Sequence, residues 1–233
     1  MIPYRDESRI GSGFPFMTAA LIAMNFLVFF WELAASSHGQ HAIDTLIRSL
    51  GVTPYAITHD VQLPPPAPHP EYLTILTALF VHEGWLHIGG NMLYLYIFGP
   101  SIEWLTGPFR FLIFYLLCGG IAGSVQVIAH PQSTIVAIGA SGAIAGVLGA
   151  FILFFATDTI DAVLPLGCYP LLLQVPALVF IGIWIVIQIY SARAQTGDVG
   201  GIGYLEHVAG FVSGMILIWL FKTKSPPPRR AST

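Results

Sequence analysis

Charged residues are scarce in this chain of 233 residues. Asp, Glu, Lys and Arg make up 9% of it, whereas hydrophobic residues make up 55%. A soluble domain normally carries about 25% charged residues, so this composition excludes an ordinary soluble protein and predicts an integral membrane protein. The net charge of -3 comes from few residues and gives no indication of nucleic-acid binding.

Cysteine is equally scarce, and the chain contains Cys118 and Cys168 alone. They form no CxxC or metal-ligand pattern and lie in or beside apolar stretches, so we interpret them as small core residues rather than as a disulfide. The features of a cleavable signal peptide are missing as well. The first apolar run, at about 16–35, is too long for one and lacks the usual basic flank, which predicts a retained anchor.

Long apolar segments are the dominant pattern that remains. A span needs about 20 apolar residues, and six segments are candidates: Met17–Ala35, His82–Ile102, Phe109–Ala129, Ser141–Ala156, Leu171–Ser191 and Gly203–Phe221. They predict an all-α polytopic membrane protein with a bundle of six transmembrane helices. The fourth segment is short, which suits a helix that starts below the membrane surface under a buried loop.

The spans divide the chain into an N-terminal tail at 1–16, a membrane domain at 17–221 and a C-terminal tail at 222–233. The long connection at 36–70 ends in a proline-rich stretch, which predicts an extended tether. Its middle part, 42–50, has the pattern of a short amphipathic helix at the interface. The C-terminal tail is rich in proline and arginine and is predicted to be disordered.

Lysine and arginine predict the orientation. With six spans, one side of the membrane holds Arg5, Arg9, Arg110, Lys222, Lys224, Arg229 and Arg230, and the other holds Arg48 and Arg193. This excess places both termini in the cytoplasm. The fourth and sixth spans then both begin on the outer side. His207 lies about four residues into its span, roughly 6 Å along the axis, so Ser141 and His207 lie at similar depth.

Ser141 and His207 are the chemically informative residues inside these spans. An ionisable residue in a span is costly and indicates function, and a nucleophile with a base suggests hydrolysis within the bilayer. The alternative is packing, because Ser141 belongs to a face of small residues: Gly139, Ala140, Gly142, Ala145, Gly146 and Gly149. Gly210 and Gly214 share the face of His207, so two glycine-lined faces are able to meet. The segment is not a nucleophile elbow, since Ala143 stands at the fifth position.

The second predicted span adds His82, His87 and Asn91. His87 and Asn91 are four residues apart and share a helix face, so with the Ser141 backbone N–H they would form an oxyanion hole. The alternative is a polar patch that joins helices. Zinc is disfavoured, because the spacing from His82 to His87 is five rather than the four of H-E-x-x-H. The role of Glu206, next to His207, stays open.

Three motifs together resemble the rhomboid family of intramembrane serine proteases. His82 to Asn91 is similar to that family's H-x₄-H-x₃-N signature, Gly139 to Gly142 to its G-x-S-G signature, and His207 to Gly214 to its H-x₂-G-x₃-G signature. Gly99, Glu103 and the segment at 51–54 also fit. The resemblance runs from about Gly51 to Leu220 and keeps the order of the motifs.

This resemblance implies a six-span bundle of rhomboid type that cleaves transmembrane segments of other proteins near the outer surface. It implies a Ser141–His207 dyad and an oxyanion site made by His87, Asn91 and the Ser141 amide. His82 would have a structural role, and Gly139, Gly142, Gly210 and Gly214 would shape the site. The implied partners are transmembrane protein substrates and the lipid bilayer, without metal, nucleotide or other cofactor. A core without extra helices favours a plasma (inner) membrane.

The chain departs from the family pattern at three places. Tyr72-Leu73-Thr74 stands where many bacterial members have Trp-Arg. Ala145 replaces a Tyr that stacks on the histidine in some members. Glu206 replaces the small residue that often precedes the histidine. Two other functions stay open: a catalytically silent member that retains membrane clients, and a small transporter. The transporter would need a continuous polar path, whereas the polar groups gather toward the outer half, with Gln174 and Gln188 as isolated exceptions.

Overall fold

Helices dominate the computed structural model, which describes residues 2–6, 13–68, 70–166, 169–194 and 203–225. The helices in these segments are α1 (Phe16–Ser36), α2 (Gln40–Leu50), α3 (Pro54–His59), α4 (Thr74–Thr77), α5 (Trp85–Thr106), α6 (Pro108–Ala129), α7 (Ser141–Phe155), α8 (Ala177–Ala194) and α9 (Tyr204–Phe221). Short 3₁₀ turns at Glu71–Leu73 and Ala78–Phe80 flank α4. The strands are β1 (Ile2–Asp6), β2 (Thr159–Leu166) and β3 (Tyr169–Pro176).

Four of the described helices, α1, α6, α8 and α9, are long and apolar enough to cross a membrane. The other two predicted spans differ from them. The helix α5 has 22 residues but carries several polar groups and Pro100, and α7 is apolar but has only 15 residues. A tight turn separates α5 from α6, because Gly107 adopts a φ of 84° and Pro108 starts the next helix. Proline suits that first position, since its N–H would have no intrahelical partner there.

The fifth predicted span needs a correction. The segment Leu171–Pro176 is part of a strand, and the helix covers Ala177–Ala194 instead of Leu171–Ser191. A short apolar run has no periodicity that separates a buried strand from a helix, which explains the error. The second predicted span also shifts, because α5 begins at Trp85 rather than His82 and continues to Thr106.

A three-stranded antiparallel sheet accompanies the helices, in the order β1-β2-β3. The strand β1 pairs with β2 from Ile2 opposite Val163 to Asp6 opposite Ile160. The N-terminal segment, which we expected to be only a tail, therefore supplies a strand to the connection between α7 and α8. The hydroxyl of Ser101 donates to buried Asp6 over 3.3 Å, which ties the sheet to α5.

The helix α7 forms the centre of the core, and its residues from Gly142 to Phe151 are buried between α5, α6 and α9. Glycines let α7 and α9 touch through their backbones. A Cβ atom at Gly210 would run into the carbonyl oxygen of Gly142, and one at Gly214 would run into that of Gly146. Such close approach is how small residues stabilise helix pairs in membranes.

Three chain segments meet at one end of the bundle. Glu103, near the end of α5, accepts hydrogen bonds from the backbone N–H groups of Met17 (2.8 Å) and Thr18 (2.7 Å) and from the Thr18 hydroxyl (2.7 Å). The N–H groups of Thr223 and Lys224 donate to the Leu105 carbonyl over 2.9 and 3.2 Å. Hydrogen bonds thus hold residues 222–224 at the end of the bundle, where we expected disorder, whereas 226–233 lie outside the described residues. At the opposite end of the bundle, the short helix predicted at 42–50 is observed as α2.

Candidate active site

Ser141 is the first residue of α7. The preceding backbone is held by a hydrogen bond of 2.8 Å from the N–H of Gly139 to the carbonyl of Ala78. Gly139 adopts a φ of 119°, a conformation that glycine tolerates and side-chain-bearing residues rarely adopt. Ser141 is half-buried, while the ten residues that follow it, 142–151, are buried. Its hydroxyl therefore lies at the edge of the core.

His207 lies in the first turn of α9 and is 8% exposed. It precedes Gly210 by three residues, and Ser141 directly precedes Gly142. Because Gly210 contacts the backbone of Gly142, the serine and the histidine lie at the same end of the α7–α9 crossing. Among the described hydrogen bonds none joins the Ser141 hydroxyl to His207, whose Nδ1 instead contacts Gln188. Catalytic hydrogen bonds are often long before substrate binds.

His87 and Asn91 converge on the backbone two residues before Ser141. A Cβ atom at Gly139 would lie 2.7 Å from His87 Nε2 and 3.7 Å from Asn91 Nδ2. His87 Nδ1 accepts a long hydrogen bond of 3.5 Å from the N–H of Glu83. In the neutral ring the proton is then on Nε2, which makes this atom a donor. Asn91 is 9% exposed, and its Nδ2 has no hydrogen-bond partner in the described part of the chain.

His82 lies just before α5 and is 1% exposed. Its backbone N–H donates to Glu32 of α1 over 3.1 Å, and its Nδ1 lies 3.3 Å from the Phe80 carbonyl. Its ring meets that of His87 edge to face at 5.0 Å. Glu32 is itself buried, and we did not identify it from the sequence. Its position inside an apolar helix was a signal that would have singled it out.

Two further residues contact the His207 ring, and both lie on α8. Gln188 Oε1 lies 2.8 Å from His207 Nδ1. The ring of Trp184, one turn earlier, lies 5.8 Å from the imidazole at a tilt of 33°. In the sequence Gln188 is an isolated polar residue, because a position along one helix does not show which neighbouring helix its side chain faces.

The Glu206 side chain lies against the first turn of α7. A Cβ atom at Gly142 would lie 3.0 Å from Glu206 Oε1, so the carboxyl group contacts the first turn of α7. With Gln126 of α6 it lines a small cavity beside Gly139. The arrangement places Glu206 behind the Ser141 segment, on the side where α6 packs.

Comparison with known proteins agrees with this architecture. A family model described as the Rhomboid domain matches residues 69–224. The chain is 26% identical over 161 residues to "Rhomboid-like protein 11, chloroplastic" of Arabidopsis thaliana. This alignment covers 65% of this chain and 53% of that protein. It is 31% identical over 155 residues to "Rhomboid protein 1, mitochondrial" of Saccharomyces cerevisiae, an alignment that covers 63% of this chain and 41% of that protein. It is 32% identical over 141 residues to "Rhomboid protease GluP" of Bacillus subtilis, an alignment that covers 60% of this chain and 25% of that protein.

The matched segment spans about half or less of the length of these relatives. Some relatives are named as proteases, and others are named for chloroplasts or mitochondria, so the family occurs in several membranes. The apolar helices identify a multi-pass membrane protein. The match to the family model covers more than half of this chain, and the matched residues include all three signature motifs. This chain therefore belongs to the rhomboid family.

Proposed function

We propose that this chain is an intramembrane serine endopeptidase that hydrolyses peptide bonds in or near transmembrane segments of other proteins. The observation that carries the proposal is the convergence of two donors, His87 Nε2 and Asn91 Nδ2, on the backbone just before Ser141. A buried donor without a partner is costly. Asn91 Nδ2 gains its partner when a substrate oxygen carrying negative charge enters the site.

The reaction follows from these positions. Ser141 Oγ attacks the peptide carbonyl carbon while His207 removes the serine proton, and the carbonyl oxygen becomes an oxyanion. Asn91, His87 and the Ser141 backbone N–H stabilise that oxyanion with preorganised donors. The C–N bond then breaks, and His207 gives its proton to the leaving amine. Water attacks the acyl-enzyme with His207 again as base, which releases the acid and restores Ser141.

The topology completes this proposal. We assign α5 and α7 as the second and fourth spans, beside the four longer apolar helices. The short α7 then starts below the outer surface, so Ser141 is at a depth where a substrate helix is still within the membrane. The substrates are transmembrane proteins, and the excess of lysine and arginine at the termini places the site toward the outer side. The plasma membrane remains a prediction from the sequence.

A fluorophosphonate probe, which reacts with activated serines, tests the proposal on the full chain in detergent. We expect labelling of the wild type and none of Ser141→Ala, which keeps the small packed face. His207→Ala should lose labelling as well. Ser124→Ala is the matched control and should label like the wild type. Among the described hydrogen bonds, the Ser124 hydroxyl donates only within α6, to the Gly120 carbonyl.

Asn91→Ala separates nucleophile activation from oxyanion stabilisation. Cleavage of a transmembrane peptide library should fall by about 10²- to 10³-fold, as when one oxyanion donor is removed. A folded wild type that neither labels nor cleaves would contradict the protease proposal and favour a silent member that retains membrane clients.

A further inference from the structure

We propose that Gln188 is a positioning residue that holds His207 in the tautomer with its proton on Nδ1, so that Nε2 is free to act as the base. The catalytic consequence rests on the proposed protease function, whereas the tautomer itself does not. The contact crosses between two membrane helices, α8 and α9. No sequence motif identifies it.

The hydrogen-bond pattern determines the direction of this contact. Gln188 is 7% exposed, and its Oε1 lies 2.8 Å from His207 Nδ1. Its Nε2 donates to the Trp184 carbonyl, one turn earlier in α8, over 3.4 Å. A backbone carbonyl only accepts, so the NH₂ end of the amide faces Trp184 and the oxygen faces the imidazole. Since an amide oxygen also only accepts, Nδ1 must carry the hydrogen.

This hydrogen decides what the other ring nitrogen does. A neutral imidazole has a single N–H, and with that proton on Nδ1 the Nε2 atom keeps its lone pair. A general base needs this lone pair to take the proton of Ser141. The opposite tautomer would place an N–H at Nε2, and that atom would be unable to accept the serine proton. A third group that orients the base is a recurring part of serine hydrolases.

Trp184 supports the same orientation from the same helix. It lies four residues before Gln188, so both side chains project from one face of α8. Its ring lies 5.8 Å from the His207 ring and also meets Phe211 of α9 at 6.5 Å. The hydrogen bond sets the rotation of the imidazole, and the indole limits its tilt. An amide performs this role without placing a charge in an apolar span, where a charge is costly.

Nitrogen-15 NMR of histidine-labelled protein in detergent micelles reads the tautomer directly. We expect wild-type His207 to give the signature of a protonated Nδ1 and an unprotonated Nε2. Gln188→Met keeps the length and shape of the side chain but removes the amide oxygen, so the signature should shift toward a mixture of tautomers. Gln188→Glu keeps an accepting oxygen and should retain the Nδ1–H signature.

Gln174→Met is the matched control. Gln174 bonds to Asp161 in the sheet, and roughly 17 Å of α8 separates the start of that helix from Gln188. The control should leave the His207 signature and the labelling rate unchanged.

The fluorophosphonate labelling rate adds the functional readout. In Gln188→Met we expect the maximal rate of serine modification to fall by about 10²-fold, at the lower end of what a positioned base contributes. The probe concentration for half-maximal rate should stay unchanged, because Gln188 does not touch the probe. Gln188→Glu should recover most of the rate.

The outcomes separate this inference from the proposed function. A His207 signature that ignores Gln188→Met overturns the inference, whether or not labelling falls, because a rate loss without a tautomer change reflects a merely structural role. A tautomer that follows Gln188 in a protein that never labels supports the inference and contradicts the protease proposal. Labelling that needs Ser141 but is insensitive to Gln188→Met supports the protease proposal and contradicts the catalytic role of Gln188.

Discussion

Glu103 is a single side chain that joins two helices at the end of the bundle. It is buried, and its carboxylate accepts three hydrogen bonds from the first turn of α1. Glu103→Gln replaces one accepting oxygen by an NH₂ group that faces another donor. We expect the free energy of unfolding in detergent to fall by about 1.5–3 kcal/mol, the usual contribution of a hydrogen bond to a charged group.

Thermal unfolding followed by loss of helical circular dichroism measures this change. Glu83→Gln is the control, since the Glu83 side chain is exposed, and it should change stability by less than about 0.5 kcal/mol. Equal stability of both variants would show that Glu103 does not hold α1 in place.

The packing of α7 against α9 depends on glycine. A Cβ atom at Gly210 would meet the carbonyl oxygen of Gly142, whereas one at Gly182, in α8, would meet nothing within 4 Å. We expect Gly210→Ala to separate the two helices, to destabilise the bundle by about 1–3 kcal/mol as overpacking does, and to reduce labelling of Ser141. Gly182→Ala is the same substitution in open space and should leave both properties near wild type.

Both variants are compared by thermal unfolding and by the fluorophosphonate rate. A Gly210→Ala protein with wild-type stability and labelling would mean that the close approach of α7 and α9 is not needed to bring Ser141 and His207 together.

For the chain as a whole, the predicted topology is testable by cysteine accessibility. In a Cys118→Ala, Cys168→Ser background, Asp44→Cys in α2 and Ser225→Cys after α9 are separated by five proposed crossings. We therefore expect a membrane-impermeant maleimide to label Asp44→Cys in intact cells and Ser225→Cys only after permeabilisation. Labelling of both from the same side would contradict six spans, and the reverse pattern would contradict the orientation.

The sheet is the part of the molecule that sequence reasoning did not predict. The strand β1 has only five residues and pairs with residues near 160. The paired residues are 154 to 161 positions apart in the chain, and local patterns carry no information about such pairing. The strand β3 is apolar enough to be read as the start of a span. By contrast, α1, α6 and α9 were placed to within one or two residues, because a long apolar run has few alternatives.

The sequence alone determined the membrane class, the rhomboid family and the candidates Ser141, His207, His87 and Asn91, because those properties reside in composition and in spacing along one helix. The contacts of these residues across helices were decided by the tertiary structure. Gln188 meets His207 only because α8 packs beside α9, and Glu206 turns toward Gly142 only because α9 crosses α7 at its glycines. A side chain's partner depends on the rotation and depth of two packed helices, and that information emerges only when the whole bundle closes.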